Sequence, residues 1–144
     1  MDDVLVNKAD TIERCVARVR EEYDVEPDSF ETNYTRQDAA ILNIQRACEA
    51  ALDMGQHLIR REKLGVPQSS RDVFDLLAKA NWIDITLAEA LKRMVGFRNI
   101  AVHDYKKLQF VITVNVITQH LDEFLCYSSA ILKKEALLQT ERAN

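Results

Sequence analysis

The sequence contains few of the residues that interrupt helices. Only three glycines and two prolines occur among its 144 residues, and both residue types weaken or break a helix interior. Apolar residues make up 47% of the chain and charged residues 29%, which is typical of a few long helices. A chain of this length buries enough apolar surface to fold without disulfide or metal staples. We therefore expect a single all-α domain over residues 1–144.

Several other features are missing. No apolar run reaches the roughly 20 residues that a membrane-spanning helix needs, and the acidic start Met1-Asp2-Asp3 has the wrong charge for a secretory signal. The chain has no Gly-rich phosphate loop, no Gly-x-Ser-x-Gly and no His-Glu-x-x-His. The cysteines are odd in number and lack Cys-x-x-Cys spacing: Cys15, Cys48 and Cys126. We expect reduced thiols in a cytoplasmic protein that does not bind a membrane.

The net charge of -4 is unevenly distributed. Residues 1–32 carry ten acidic side chains against four basic ones, whereas residues 92–107 carry five basic side chains against the single acid Asp104. A local positive potential attracts phosphate groups. The alternative explanation for this charge is an ordinary solvated helix face.

Apolar residues at 3- and 4-residue steps predict a first helix over 3–24 and a second over about 34–62. Pro27 and a polar run separate them. Ser70 is the expected N-cap of a short third helix that ends near Ala80. Thr86 and Glu89 match a capping box, which predicts that a fourth helix begins there and reaches or passes residues 98–103.

Residues 110–118 are rich in β-branched side chains, and local propensity alone favours a strand. A lone strand would have no partner elsewhere in this chain, and the apolar spacing continues beyond it. We therefore predict one long fifth helix over about 109–138. The result is a bundle of about four long helices plus one short helix.

The most informative stretch is residues 96–105, which contains Arg98, His103 and Tyr105. A guanidinium gives permanent, bidentate positive charge to phosphate oxygens, and an imidazole exchanges protons near neutral pH. Five positions along a regular helix correspond to about 140° around its axis. Either the helix ends between Arg98 and His103, or a second chain related by two-fold symmetry completes the site. Alternatively, His103 only caps a helix C-terminus.

Two further sets of residues are candidates with open alternatives. Glu49, Asp53 and His57 follow each other at four-residue steps on one side of the second helix. They have ligand chemistry for a metal, but no second cluster supplies more ligands, so we expect a polar face near the basic segment and no metal. Tyr105 is accessible to modification if it lies in a loop, and otherwise it packs on the core. His120 is expected to be partly exposed.

The segment Phe97–Tyr105, with Arg-x4-His-x-Tyr and Asn99 after the arginine, resembles the signature of HEPN-domain ribonuclease toxins of the HepT group. Residues 51–59 resemble that group's second helix, and residues 64–67 with 70–77 resemble its loop and third helix. The resemblance covers about residues 39–105. Asp104 stands where Glu is frequent in the group, and Lys106-Lys107 replace a commonly aromatic or acidic continuation.

The resemblance implies an up-and-down helical bundle that forms a homodimer, with both copies of Arg98 and His103 in one cleft. It also implies metal-independent endoribonuclease activity on cellular RNA, without a cofactor. The implied partner is a minimal nucleotidyltransferase (MNT) antitoxin that transfers AMP from ATP to Tyr105. The remaining candidate residues are the supporting side chains Asn99, Asp53 and His57 and the RNA-binding side chains Lys92, Arg93, Lys106 and Lys107.

Two other classes of function remain open at this point. One is a non-catalytic helical module that binds a nucleotide or a protein through the same dimer face, for which His103→Ala would leave the function intact. The other is a degenerate toxin-like protein that retains the site but has lost access to RNA.

Overall fold

The computed structural model describes residues 1–143, which form six α-helices and no strand. The helices are α1 (Asp3–Asp24), α2 (Tyr34–Glu62), α3 (Ser70–Lys79), α4 (Ile85–His103), α5 (Phe110–Gln119) and α6 (Leu121–Ala143). The most extensive pairing is between α1 and α2, and α6 packs against α1, α2 and α4. The predicted all-α bundle is confirmed, with four long helices and two short ones. None of the described helices is long and apolar enough to span a bilayer.

The first two helices have the predicted bounds, because residues at their ends form local capping contacts or turns. The Asn33 side chain accepts a hydrogen bond from the backbone N–H of Arg36 at the start of α2. At the other end, Lys63 has a positive φ of 54°, which is the left-handed conformation that commonly ends a helix.

The predicted starts of α3 and α4 are displaced. Ser69, not Ser70, caps α3 by accepting a hydrogen bond from the backbone N–H of Asp72. The Asp84 carboxylate caps α4 by accepting from the N–H of Leu87 at 2.7 Å. The capping box predicted at Thr86 is therefore wrong, because a carboxylate two residues earlier already satisfies a free N–H of the first turn.

The prediction of one continuous helix over 109–138 is also wrong. The segment is helical, as predicted, but it is divided into two helices. α5 ends at Gln119, and His120 interrupts the helix with φ −125° and ψ −6°. The preceding run is rich in β-branched residues, which lose side-chain freedom in a helix, and the Thr118 hydroxyl donates to the Val114 carbonyl, a contact that tends to bend helices. His120 is partly exposed, as expected, and its Nδ1 lies 2.8 Å from Glu123 Oε1.

Small residues on α2 allow neighbouring helices to approach closely. A Cβ on Gly55 would lie 2.5 Å from Val73 Cγ1 of α3 and 2.9 Å from Tyr127 Oη of α6. The buried Tyr127 hydroxyl donates a hydrogen bond to the Ala51 carbonyl at 2.7 Å. These contacts fix α2 against α3 and α6, so they also fix the side chains that α2 presents to α4.

Candidate active site

α4 continues through Arg98 and ends at His103. Of the two arrangements that the sequence left open, the helix ending between these residues is therefore not the one observed. The Arg98 side chain is 14% exposed and points into the bundle, whereas His103 is exposed. The two side chains of one chain face different directions, as the angle of about 140° between them requires.

Arg98 is held by side chains from two other helices. Its Nη2 donates a hydrogen bond to Ser70 Oγ of α3 at 3.0 Å, and its Nε lies 3.2 Å from Glu49 Oε1 of α2 as an ion pair. The Nε atom is buried and makes no hydrogen bond of good geometry within residues 1–143. The guanidinium thus sits in a fixed position with part of its donor capacity unused.

The Cys48 thiol lies close to this guanidinium but offers no nucleophile. Burial raises the pKa of Cys48 to about 12, although the positive charge of Arg98 acts in the opposite direction. A thiol with this pKa stays protonated near neutral pH, and the thiolate is the reactive form. The charged groups in this part of the site are therefore Arg98 and its ion-pair partner Glu49.

His103 occupies the C-terminal end of α4, where the helix dipole favours a positive charge. Asn99, which is partly exposed, precedes it by four residues and therefore shares its face of the helix. The chain then turns through a short 3₁₀ segment, Tyr105–Lys107. The imidazole and the amide thus form a second, exposed half of the motif.

Tyr105 lies in this turn with 44% of its surface exposed, which fits the accessible alternative rather than a tyrosine packed on the core. Its hydroxyl donates a hydrogen bond to Asp38 Oδ1 on α2. Partial burial and this neighbouring carboxylate raise the pKa of Tyr105 to about 12. The phenol is therefore neutral near physiological pH and is attached to the bundle through an acidic side chain.

The structure separates the polar residues of α2. Glu49 faces Arg98, but Asp53 Oδ2 lies 3.1 Å from Lys8 Nζ and His57 Nε2 lies 2.6 Å from Asp2 Oδ2. Asp53 and His57 are therefore paired with the N-terminal part of the chain and not brought to Arg98. Within residues 1–143, no three His, Cys, Asp or Glu side chains are grouped to hold a metal ion.

The predicted RNA-binding cations differ in how far their charge is neutralised. Lys92 Nζ lies 3.1 Å from both Asp75 and Glu89, and Lys107 Nζ lies 3.1 Å from Asp104. In the described part of the chain, Arg93 and Lys106 take part in none of the ion pairs. Two of the four predicted cations thus keep an uncompensated charge.

Sequence reasoning missed Arg71 of α3. A Cβ on Gly96 of α4 would lie 3.1 Å from Arg71 Nη2, so the guanidinium lies against the outer surface of α4 near the motif. The sequence contains no signal for this contact, because it depends on how α3 packs against α4.

Comparisons with known proteins agree on one family. The family model described as ribonuclease HepT-like matches residues 12–131, a longer region than the resemblance found from the motifs. The mRNA nuclease HepT of Shewanella oneidensis is 48% identical over 124 residues, which are 86% of this chain and 92% of that protein.

Solved structures give the same result. A toxin–antitoxin structure with AMP-PNP matches with a TM-score of 0.88 at 45% identity, covering 92% of this chain and 99% of the other. A tri-AMPylated Shewanella oneidensis HEPN toxin in complex with an MNT antitoxin matches with a TM-score of 0.88 at 46% identity and the same coverage. Together with the Arg-x4-His-x-Tyr motif at the end of α4, these matches show that the chain belongs to the HepT-like ribonuclease family.

Proposed function

We propose that this chain is the toxin of a toxin–antitoxin pair. It would act as a metal-independent endoribonuclease on cellular RNA, either mRNA or tRNA, and be neutralised by AMP transfer to Tyr105. The curated relative is an mRNA nuclease, and similar solved structures are complexes of a toxin with its antitoxin. The observation in this chain that carries the proposal is the fixed guanidinium of Arg98 on the same helix as the exposed imidazole of His103.

The reaction follows from the chemistry of RNA, which carries its own nucleophile in the 2′-hydroxyl. In our scheme His103 of one copy removes the proton of this hydroxyl as it attacks the adjacent phosphorus, and His103 of a second copy gives a proton to the 5′-oxygen as it leaves. Arg98 stabilises the negative charge that develops on the phosphoryl oxygens, and Asn99 orients the phosphate. The products are a 2′,3′-cyclic phosphate and a 5′-hydroxyl end, and no metal-activated water is required.

A homodimer would solve the geometric problem of the motif. Because Arg98 and His103 of one chain face different directions, one copy does not direct both at one phosphate, whereas two copies related by a two-fold axis can do so. Exposed apolar side chains surround the motif, among them Ile100, Val102 and Ile112. Apolar groups grouped in this way are typical of protein interfaces, which supports a dimer with both motifs in one cleft.

The modification in our proposal uses ATP bound by the antitoxin, a minimal nucleotidyltransferase. In AMP transfer the Tyr105 oxygen would form a bond to the α-phosphorus of ATP as pyrophosphate leaves, so that the hydroxyl proton is lost and a negatively charged adenylyl group takes its place. That group can no longer donate to Asp38, whose carboxylate repels it, and it lies two residues beyond His103. Bulk and negative charge at this place would exclude RNA from the cleft.

The test is RNA cleavage by the purified protein in excess EDTA, compared with Arg98→Ala and His103→Ala. Intact mass is measured first, because prior modification of Tyr105 would mimic an inactive enzyme. We expect cleavage that survives EDTA, leaves 2′,3′-cyclic phosphate ends and is lost in both variants. Arg60→Ala, an exposed arginine three turns along α2 from Glu49, is the matched control and should cleave normally.

Other outcomes are equally decisive. Equal cleavage by all variants would mean that another site or a contaminant is responsible. Products with only 3′-hydroxyl ends would contradict attack by the 2′-hydroxyl. No cleavage by protein of unmodified mass would favour the non-catalytic binding module or a degenerate toxin.

A further inference from the structure

A small groove lies on the outer surface between α3 and α4, beside the motif. It has a volume of about 330 Å³ and is lined by Arg71, Glu89, Lys92, Arg93 and Gly96. Gly96 leaves the floor of the groove open, because a Cβ at this position would lie 3.1 Å from Arg71 Nη2. Three of the four side chains that line it are cationic.

The charges in this groove are not balanced. Lys92 is paired with Glu89 and with Asp75 at 3.1 Å each. Glu89 is the one acidic side chain that lines the groove, and its charge is therefore already paired with Lys92. Arg71 and Arg93 are both exposed, and neither belongs to an ion pair within residues 1–143. Two uncompensated guanidinium groups at one small groove repel each other, and an anion between them would remove that repulsion.

Both helices that form the groove also carry residues that lie at or next to the motif. Ser70, the residue before Arg71, accepts the hydrogen bond from Arg98 Nη2 at 3.0 Å. Gly96, Asn99 and His103 follow one another at steps of three and four residues and therefore lie along one face of α4. Seven residues of helix span about 10 Å, so a short run of nucleotides at His103 would reach the groove.

We propose that Arg71 and Arg93 bind backbone phosphates of the RNA strand next to the phosphate that is cleaved. The inference rests on the ribonuclease function proposed above and adds a binding track to it. Guanidinium groups are suited to phosphate oxygens, which they bind through two parallel hydrogen bonds. Because the proposed contacts are to the phosphates of the backbone, they position the strand without selecting its sequence.

The experiment measures binding of a short single-stranded RNA to full-length His103→Ala, which does not consume the ligand in our scheme, at several salt concentrations. Arg71→Ala and Arg93→Ala are added to this background one at a time. For a single strand, each lost phosphate contact makes the negative slope of log affinity against log salt less steep by about 0.7. We expect this change in both variants and none with Arg60→Ala, which removes an exposed arginine elsewhere on the molecule.

Each alternative outcome has a defined meaning. An unchanged salt slope in both variants overturns the proposal. A loss of antitoxin binding by Arg71→Ala, with RNA binding intact, also overturns it and identifies the groove as a protein-docking surface. RNA binding could depend on Arg71 and Arg93 while cleavage by the parent protein does not depend on Arg98 or His103. That result would support the groove as an RNA-binding site and contradict the proposed catalytic function.

Discussion

The two ends of the Arg-x4-His-x-Tyr motif differ in how firmly the fold holds them. Arg98 is 14% exposed and contacts Glu49 of α2 and Ser70 of α3. His103 and Tyr105 lie on the surface at the end of α4, where a hydrogen bond from Tyr105 to Asp38 connects the turn to α2. The bundle thus preorganises the guanidinium that we propose binds the phosphate, whereas the imidazole that we propose transfers the proton lies exposed on the surface.

This difference suits a toxin that must be switched off. A preorganised charge stabilises developing negative charge without reorganisation during the reaction. An exposed imidazole next to an exposed tyrosine can be covered by a modification without unfolding the bundle. The modification that we propose at Tyr105 would thus leave the packed surroundings of Arg98 unchanged.

The largest expected effect is a loss of cleavage activity in variants of Arg98 and His103, of which only one should also lose stability. Arg98→Ala should lower cleavage by about 10²–10³-fold, the usual range for a lost donor that stabilises developing charge. His103→Ala should lower it by about 10²–10⁴-fold, the usual range for a lost acid–base group. Only Arg98→Ala should also lower the free energy of unfolding, by about 1–3 kcal/mol, because it removes a mostly buried side chain together with its contacts to Glu49 and Ser70. His103→Ala should stay within about 0.5 kcal/mol, as surface substitutions do. Urea denaturation of both variants measures this, and equal losses of stability would show that the two ends do not differ.

A smaller effect concerns the residues that hold Arg98. Glu49→Ala removes the carboxylate 3.2 Å from Arg98 Nε and lets the guanidinium turn, so we expect kcat/KM to fall about tenfold. Asp53→Ala is the matched control, because Asp53 lies one turn further along α2 and pairs with Lys8. Steady-state cleavage assays compare them. A larger loss of kcat/KM with Asp53→Ala than with Glu49→Ala would show that Asp53 supports catalysis. It would contradict the conclusion that Glu49, and not Asp53, holds Arg98.

The smallest effect is a shift in titration at the exposed end. Burial and the Asp38 carboxylate raise the pKa of Tyr105 to about 12, so Asp38→Asn should move that pKa back toward its ordinary value of about 10. Since the folded pKa is raised, the contact stabilises the fold below about pH 10 and loses its effect as pH rises through about 12. Ultraviolet titration of phenolate, with Tyr105→Phe subtracted, measures the shift. An unchanged pKa would mean that Asp38 does not hold the hydroxyl in solution.

Much of the fold was predictable from the sequence, with errors at particular places. The bounds of α1 and α2 agree with the predictions because apolar spacing and end signals are local features. The start of α4 differs because Asp84 offered a cap that competes with Thr86. The break at His120 was missed because an apolar pattern that continues across a bend resembles that of one straight helix.

The sequence by itself determined the helical class and the motif that identifies the family, since both depend on residues that are neighbours along the chain. Only the tertiary structure decided that Glu49, and not Asp53 or His57, reaches Arg98. It also decided that Lys92 is neutralised while Arg71 and Arg93 share a groove. The physical reason is that these contacts join different helices, and their partners are set by how the bundle packs rather than by spacing along any one helix.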